Sequence, residues 1–260
     1  MTDGRTPSLF RAALRRGTAL GTWVKIAAPE SMELVALAGF DFAVIDMEHS
    51  TIDLETAYVL IGIARSAGVS PIVRVSAVAA GTIGRLLDAG AEGIMVPHVD
   101  TVEQAREAVA AVRFPPLGGR GVGATGRAGQ WGALPRAEYV RFGQEEVVLI
   151  AQLESAEAIE NTAAIAATAG VDVLLIGAAD LAMSEGTVES DPRIGELIAR
   201  SVADARVAGV PIGNAGGATS AAVQSAVAAG FAFTVMSNDA SLLGTAARAA
   251  VQDGRKVTET

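Results

Sequence analysis

Apolar runs of four to seven residues recur eight times along the chain, with an alanine-rich helical pattern after each. The runs cover residues 20–26, 42–46, 72–75, 93–96, 147–153, 171–176, 210–213 and 231–236. Short apolar runs bounded by turn signals read as strands buried in a parallel sheet. The helical patterns cover 29–38, 54–67, 81–89, 102–112, 156–168, 192–208, 219–229 and 241–251. Three open on a capping signal: Asp53 before Leu54, Thr101 ahead of Gln104, and Asp191 before Pro192. Many stop at glycine, at Gly39, Gly68, Gly90, Gly170, Gly209 and Gly230. Eight strands alternating with eight helices is the count of a (β/α)8 TIM barrel, an α/β fold that a chain of 260 residues can hold as one domain over 1–260. A doubly wound open sheet is the alternative, because alternation alone does not fix topology.

One connection breaks the rhythm. Residues 114–146 contain Pro115-Pro116, eight glycines and the arginines Arg120, Arg127, Arg136 and Arg141. Loops beyond about 12–15 residues in a compact domain are usually functional or disordered. Its Gly118-Gly119-Arg120-Gly121-Val122-Gly123 neither follows a strand directly nor opens a clear helix, so a dinucleotide-binding reading fails.

Composition narrows the function classes. No apolar stretch reaches the ~18 residues of a membrane span. The start places Arg5, Arg11, Arg15 and Arg16 around Leu9, Phe10 and Leu14, without the continuous apolar segment of a signal peptide. It reads as a short amphipathic lead-in helix, and the expected location is cytoplasmic. The absence of cysteine removes disulfides, thiolate catalysis and zinc–thiolate sites. A net charge of −9 argues against a nucleic-acid partner.

Ionisable groups gather where the apolar runs end, on the rim where α/β proteins carry out chemistry. Glu154 and Asp180 follow the fifth and sixth runs. Adjacent strands lie about 4.8 Å apart, so two such carboxylates can share a cation and leave other positions for water and substrate. The alternative is that each merely caps a helix or turn. Asp46, Glu48 and His49 follow the second run, and histidine is the usual general base near neutral pH. His98, after Val96-Pro97, holds the same position on the fourth run and is the second candidate base. Arg74 interrupts the apolar Ile72-Val73-Arg74-Val75; a buried guanidinium needs an anionic partner and can serve an enolate or oxyanion. Lys25, one of only two lysines, could form a Schiff base, but the carboxylate constellation would then have no task.

Several segments occur in a telling order: Gly21-Thr22-Trp23, the stretch from Gly39 to His49, Val73-Arg74-Val75, Leu86-Leu87-Asp88-Ala89-Gly90-Ala91, Val96-Pro97, Phe114-Pro115-Pro116 and Gly119-Arg120-Gly121. Gln152-Leu153-Glu154 and Gly177-Ala178-Ala179-Asp180-Leu181 complete the set. In this order they resemble the HpcH/HpaI aldolase family, the class II pyruvate aldolases. The resemblance implies a barrel that reversibly cleaves 4-hydroxy-2-oxoacids to pyruvate, or a close 2-oxo acid, and an aldehyde. It implies a divalent metal (Mg²⁺, Mn²⁺ or Co²⁺) on Glu154 and Asp180, Gln152 beside metal and substrate, and no organic cofactor. It further implies that Arg74 stabilises the enolate, that His49 and Asp88 form a proton-transfer dyad, and that Asp46 lies near the aldehyde end. Trp23 would line the aldehyde pocket, and backbone amides around Ala179 and Asp180 would receive the carboxylate. The implied assembly is a homo-hexamer, a trimer of dimers with the last helix exchanged.

The chain departs from the family pattern at Ala178 (commonly proline), Ala182 (commonly serine) and Thr125 (commonly serine), and residues 185–190 are unusual. These positions bear on substrate scope more than on the metal. A citrate lyase β-like enzyme acting on acyl-CoA, with the arginine-bearing loop on the CoA phosphates, is the second enzyme reading. A barrel that binds a 2-oxo acid without turnover is the reading from another class.

Overall fold

Eight parallel strands close into a barrel in the computed structural model, which describes residues 7–258. In chain order they are β1 (Ala19–Val24), β2 (Phe42–Asp46), β3 (Ser70–Arg74), β4 (Gly93–Val96), β5 (Val148–Leu153), β6 (Val173–Ile176), β7 (Ile212–Gly216) and β8 (Phe233–Asn238). β1 pairs with both β2 and β8, which closes the sheet and excludes the open alternative. Every predicted strand is present, with ends shifted by at most three residues. The three caps form as expected: Asp53 accepts from the Thr56 N–H, Asp191 from the Arg193 N–H, and Thr101 and Gln104 make a capping box. The helical pattern at 156–168 is split into Ala156–Glu160 and Thr162–Ala166. The last helix runs further than expected, over Asp239–Thr258.

The connection at 114–146 is not structureless. It holds a 3-10 turn at Arg127–Gly132 and a helix at Arg136–Glu145. Among the described residues no helix is long and apolar enough to cross a membrane.

Side chains of a strand alternate between its two faces. Ala43, Ile45, Val73, Ile94, Leu149 and Leu174 join the core shared with the helices. Phe42, Val44, Ile72, Met95, Val148, Ile150, Val173, Leu175, Phe233 and Val235 form a second core that fills the barrel lumen. Asp46 continues the series of Phe42 and Val44, Arg74 that of Ile72, and Gln152 and Glu154 that of Val148 and Ile150. Period two thus carries polar groups into the lumen at the carboxyl ends of the strands.

The opposite end is sealed. The helix Leu9–Arg16 is capped by Ser8, and its Phe10 is fully buried against Phe42 and Phe233, with ring centroids 5.0 and 5.4 Å away. The expected lead-in helix is therefore present, although Arg5 lies outside the described residues. Glycine makes room for the rings: a Cβ at Gly21 would lie 2.3 Å from the Phe42 ring, and one at Gly213 2.4 Å from that of Phe233. Buried Glu92 anchors the helix by accepting from the Leu9 N–H and the Ser70 hydroxyl, each at 2.8 Å.

Candidate active site

The site is built from the last residues of β2, β3 and β5 and the loops after β2, β4 and β6. Strand register sets Asp46 opposite Arg74. Arg74 donates from Nε to Asp46 Oδ1 at 3.0 Å and from Nη2 to Oδ2 at 2.7 Å. Asp46 is fully buried and also takes the backbone N–H groups of Glu48 (3.1 Å) and His49 (3.2 Å), with Lys25 Nζ at 3.2 Å. Burial alone would raise its pKa, but the Arg74 hydrogen bonds and charge, the His49 N–H and the Lys25 charge outweigh it and hold the carboxyl below its ordinary value. With five donors around it, Asp46 orients Arg74 and is already engaged. Lys25 is likewise tied into this ion pair.

Arg74 makes two further contacts. Its Nη1 lies 3.1 Å from Glu48 Oε2, and its guanidinium stacks 4.2 Å from the centre of the Trp23 ring. Trp23, expected in an aldehyde pocket, is nearly buried among the lumen residues and serves as the platform for Arg74.

Glu154 is buried just past β5. Its Oε1 accepts from the His98 backbone N–H at 2.7 Å and faces His98 Nδ1 at 2.9 Å. Its Oε2 accepts from Gln152 Nε2 at 2.5 Å. Burial, the largest cause, pushes its pKa up; the nearby Asp180 and Glu48 carboxylates add to the rise, against the lowering effect of His98. Asp180 lies on the exposed first turn of the helix Ala178–Ser184, with Ala179 beside it.

Three observations fit a hard cation here. Gln152 Oε1 is buried with no hydrogen-bond partner. A Cβ at Gly177 would fall 2.9 Å from Glu154 Oε2, so the glycine keeps that oxygen uncovered. A second carboxylate, Asp180, is near enough to add to the rise of Glu154, and hard oxygen donors are what Mg²⁺ and Mn²⁺ take. No group of three or more His, Cys, Asp or Glu spaced to hold a metal occurs among the described residues, so such an ion would rely on substrate and solvent for the rest of its shell.

His49 is half exposed, and its Nε2 lies 3.8 Å from Glu48 Oε2. The structure does not bring Asp88 to it. Asp88 ends the helix Ala80–Asp88, and its Oδ1 accepts from Arg120 Nη2 at 2.8 Å and the Tyr139 hydroxyl at 2.5 Å. A Cβ at Gly123 would lie 2.0 Å from Asp88 Oδ2, so the glycine-rich segment folds directly over this carboxylate. Arg120 also stacks 4.5 Å from the Phe114 ring.

Glu48 and His98 are more central than the sequence suggested. Glu48 bridges Arg74 and His98, whose Nε2 is 3.4 Å from Glu48 Oε1. A single polar network therefore runs from Asp46 through Arg74, Glu48, His98 and Glu154 to Gln152, across the ends of four consecutive strands. The only sequence signal for His98 was its place just after an apolar run.

A closed (β/α)8 barrel with carboxylates, a buried arginine and two histidines at the carboxyl rim is the architecture of a barrel enzyme. Residues 19–256 match the HpcH/HpaI aldolase/citrate lyase sequence model, and the chain belongs to that family. It is similar to 2-dehydro-3,6-dideoxy-6-sulfogluconate aldolase of Pseudomonas putida, with 36% identity over 231 residues, covering 88% of this chain and 89% of that protein. It is 41% identical over 212 residues to 4-hydroxy-2-oxovalerate aldolase of Novosphingobium aromaticivorans, covering 77% and 79% respectively. The crystal structure of an HpcH/HpaI aldolase/citrate lyase family protein from Burkholderia cenocepacia J2315 superposes with a TM-score of 0.87 at 35% identity, over 95% of this chain and 98% of that one. The chain is accordingly an enzyme, an aldolase of this family.

Proposed function

We propose that the chain is a class II pyruvate aldolase that cleaves 4-hydroxy-2-oxoacids to pyruvate, or a close 2-oxo acid, and an aldehyde. The observation that carries this reading is the buried Arg74, fixed by Asp46 and Glu48 at the barrel mouth and linked through Glu48 and His98 to the Glu154 carboxylate. Glu154 and Asp180 would hold the divalent ion (Mg²⁺, Mn²⁺ or Co²⁺), and Gln152 Oε1 is free to meet substrate or solvent there. When bound, the ion supplies Lewis-acid polarisation of the 2-oxo group.

A guanidinium carries five N–H donors, of which Arg74 spends three on Asp46 and Glu48. The remaining two can face the oxyanion that develops at C2. His49 takes the proton of the C4 hydroxyl, the C3–C4 bond breaks, and its electron pair enters the enolate that Arg74 stabilises. The proton held by His49 is then delivered to C3, giving the methyl group when the product is pyruvate and leaving the imidazole as it began. Backbone N–H groups around Ala179 and Asp180 receive the substrate carboxylate. Asp88, held by Arg120 and Tyr139, has no place in this step.

The reading extends to the rest of the chain. Residues 1–260 act as one barrel domain of a cytoplasmic enzyme. A homo-oligomer, the trimer of dimers, is supported by the last helix, which buries only Asp239 and leaves Leu243 and Val251 exposed. The acyl-CoA reading is weakened because three of the four loop arginines are already engaged. Arg120 pairs with Asp88, Arg127 donates to the Tyr58 carbonyl, and Arg141 pairs with Glu138 and Glu145.

The test is an aldol screen of the purified protein with pyruvate and varied aldehydes, with and without divalent ions. Turnover should vanish in EDTA and return with Mn²⁺ or Mg²⁺, and borohydride with pyruvate should leave Lys25 unmodified. Full activity in excess chelator, or pyruvate trapped on Lys25, would sink the mechanism. Binding of pyruvate without turnover on any aldehyde would favour the non-catalytic reading.

A further inference from the structure

His98 takes no chemical part in the reaction as proposed, yet it joins the two halves of the site. Its backbone N–H and its Nδ1 converge on one oxygen, Glu154 Oε1, at 2.7 and 2.9 Å. Its Nε2 stands 3.4 Å from Glu48 Oε1, whose other oxygen faces Arg74. The triple contact goes with a backbone φ of +54°, a region uncommon outside glycine, in which asparagine, aspartate and histidine are the side chains found most often. Residues held in such conformations are over-determined by their surroundings and cluster at functional sites. With Gln152 Nε2 on Oε2, both oxygens of the Glu154 carboxylate are oriented from outside, which fixes its rotation.

We propose that His98 is a positioning residue with two separable tasks. The Nδ1 contact sets the Glu154 carboxylate for the divalent ion, and the Nε2 contact sets Glu48 against Arg74. The inference rests on the reading that Glu154 holds the ion. Donors in this outer role typically contribute about 10–100-fold to metal affinity. The two tasks use different nitrogens, and amide side chains can imitate them one at a time. The Asn amide reaches the Nδ1 position and suits the left-handed backbone, whereas the Gln amide reaches the Nε2 position.

The test measures Mn²⁺ binding to the full chain, by the paramagnetic resonance signal of free Mn²⁺, for the parent, H98A, H98N, H98Q and E154Q. Steady-state kinetics at saturating Mn²⁺ run alongside. H98A should weaken Mn²⁺ binding by about 10–100-fold. H98N should restore affinity to within a few-fold of the parent, and H98Q should not. At saturating Mn²⁺ the order should reverse, with H98N losing more of kcat than H98Q. H98G, which accepts the positive φ, carries the same comparison if H98A fails to fold. Parent-like affinity in H98A or H98G while E154Q loses Mn²⁺ overturns the role of His98 and leaves the metal reading standing. Identical behaviour of H98N and H98Q also overturns it. Equal Mn²⁺ binding by the parent and E154Q overturns the metal reading, and this inference with it.

Discussion

Arg74→Lys probes the most heavily used side chain in the site. Nε and Nη2 hold the two oxygens of Asp46 at 3.0 and 2.7 Å, and Nη1 faces Glu48 at 3.1 Å. Lysine brings three donors on one nitrogen, which cannot span both Asp46 oxygens and also reach the barrel mouth. It also gives up the planar contact with Trp23 at 4.2 Å. Loss of the oxyanion donors should cost about 10²–10³-fold in kcat, or about 2.7–4 kcal/mol. Stability should change less. The ammonium still neutralises buried Asp46, and Lys25 remains 3.2 Å away. The variant should therefore lose about 1–3 kcal/mol, the cost of imperfect hydrogen bonding. Arg74→Ala, which removes the charge as well, should lose about 3–5 kcal/mol. The assay couples pyruvate release to NADH oxidation by lactate dehydrogenase at saturating Mn²⁺, with Mn²⁺ affinity and thermal unfolding measured on the same samples. A kcat within a few-fold of the parent would refute the reasoning. So would a loss of kcat that merely tracks a loss of metal affinity.

Asp46→Asn should destabilise the protein by about 3–5 kcal/mol, because buried Arg74 loses its bidentate, fully buried partner and keeps only Glu48 as counter-charge. The Asp46 pKa is depressed in the folded state, so its contribution is complete above the unfolded carboxyl value and fades as pH falls through the folded one. The difference in stability between parent and variant should consequently shrink below about pH 4 in acid titrations of unfolding. His49→Ala should lower kcat by about 10²–10⁴-fold through lost proton transfer. Its Mn²⁺ affinity should stay near that of the parent, since the imidazole faces Glu48, at 3.8 Å, and not Glu154; a parallel loss of metal would count against the assignment. Burial and the Asp88 hydrogen bond push Tyr139 up to about 12. The folded state thus keeps a proton that the unfolded chain releases near pH 10, and stability should fall as pH rises from 10 to 12. Tyr139→Phe should flatten that alkaline decline, and an unchanged slope would remove Tyr139 as its source.

Much of the barrel was legible because its signals are local. β2 and β4 have the predicted bounds, since each is an apolar run with a clear break at both ends. The helices at Val102–Val112 and Pro192–Ala208 match as well, because a capping residue or proline marks where each begins. The helix at Arg136–Glu145 was hidden for the opposite reason. It buries only Tyr139 and Gly143, and its pattern is dominated by Arg141 paired with Glu138 and Glu145. In the site, Asp46, Arg74 and Glu154 stood out as charges interrupting or ending apolar runs. The bridge made by His98 did not, because it depends on one backbone dihedral and on contacts spanning 56 residues to Glu154. Asp88 lay in a recognisable motif, but the fold gives it to Arg120 and Tyr139.

The plug of Phe10, Phe42 and Phe233 makes the barrel a vessel with one opening. The polar network meets solvent at the mouth, where His49 and His98 are exposed, and a buried apolar column stands below it. Charges at the rim are then screened from one side only, and the field of Arg74 and its carboxylates is directed outward to the entrance. Removing the helix Leu9–Arg16 would admit solvent from beneath and weaken every ion pair at the far end, although none of its residues comes near the chemistry.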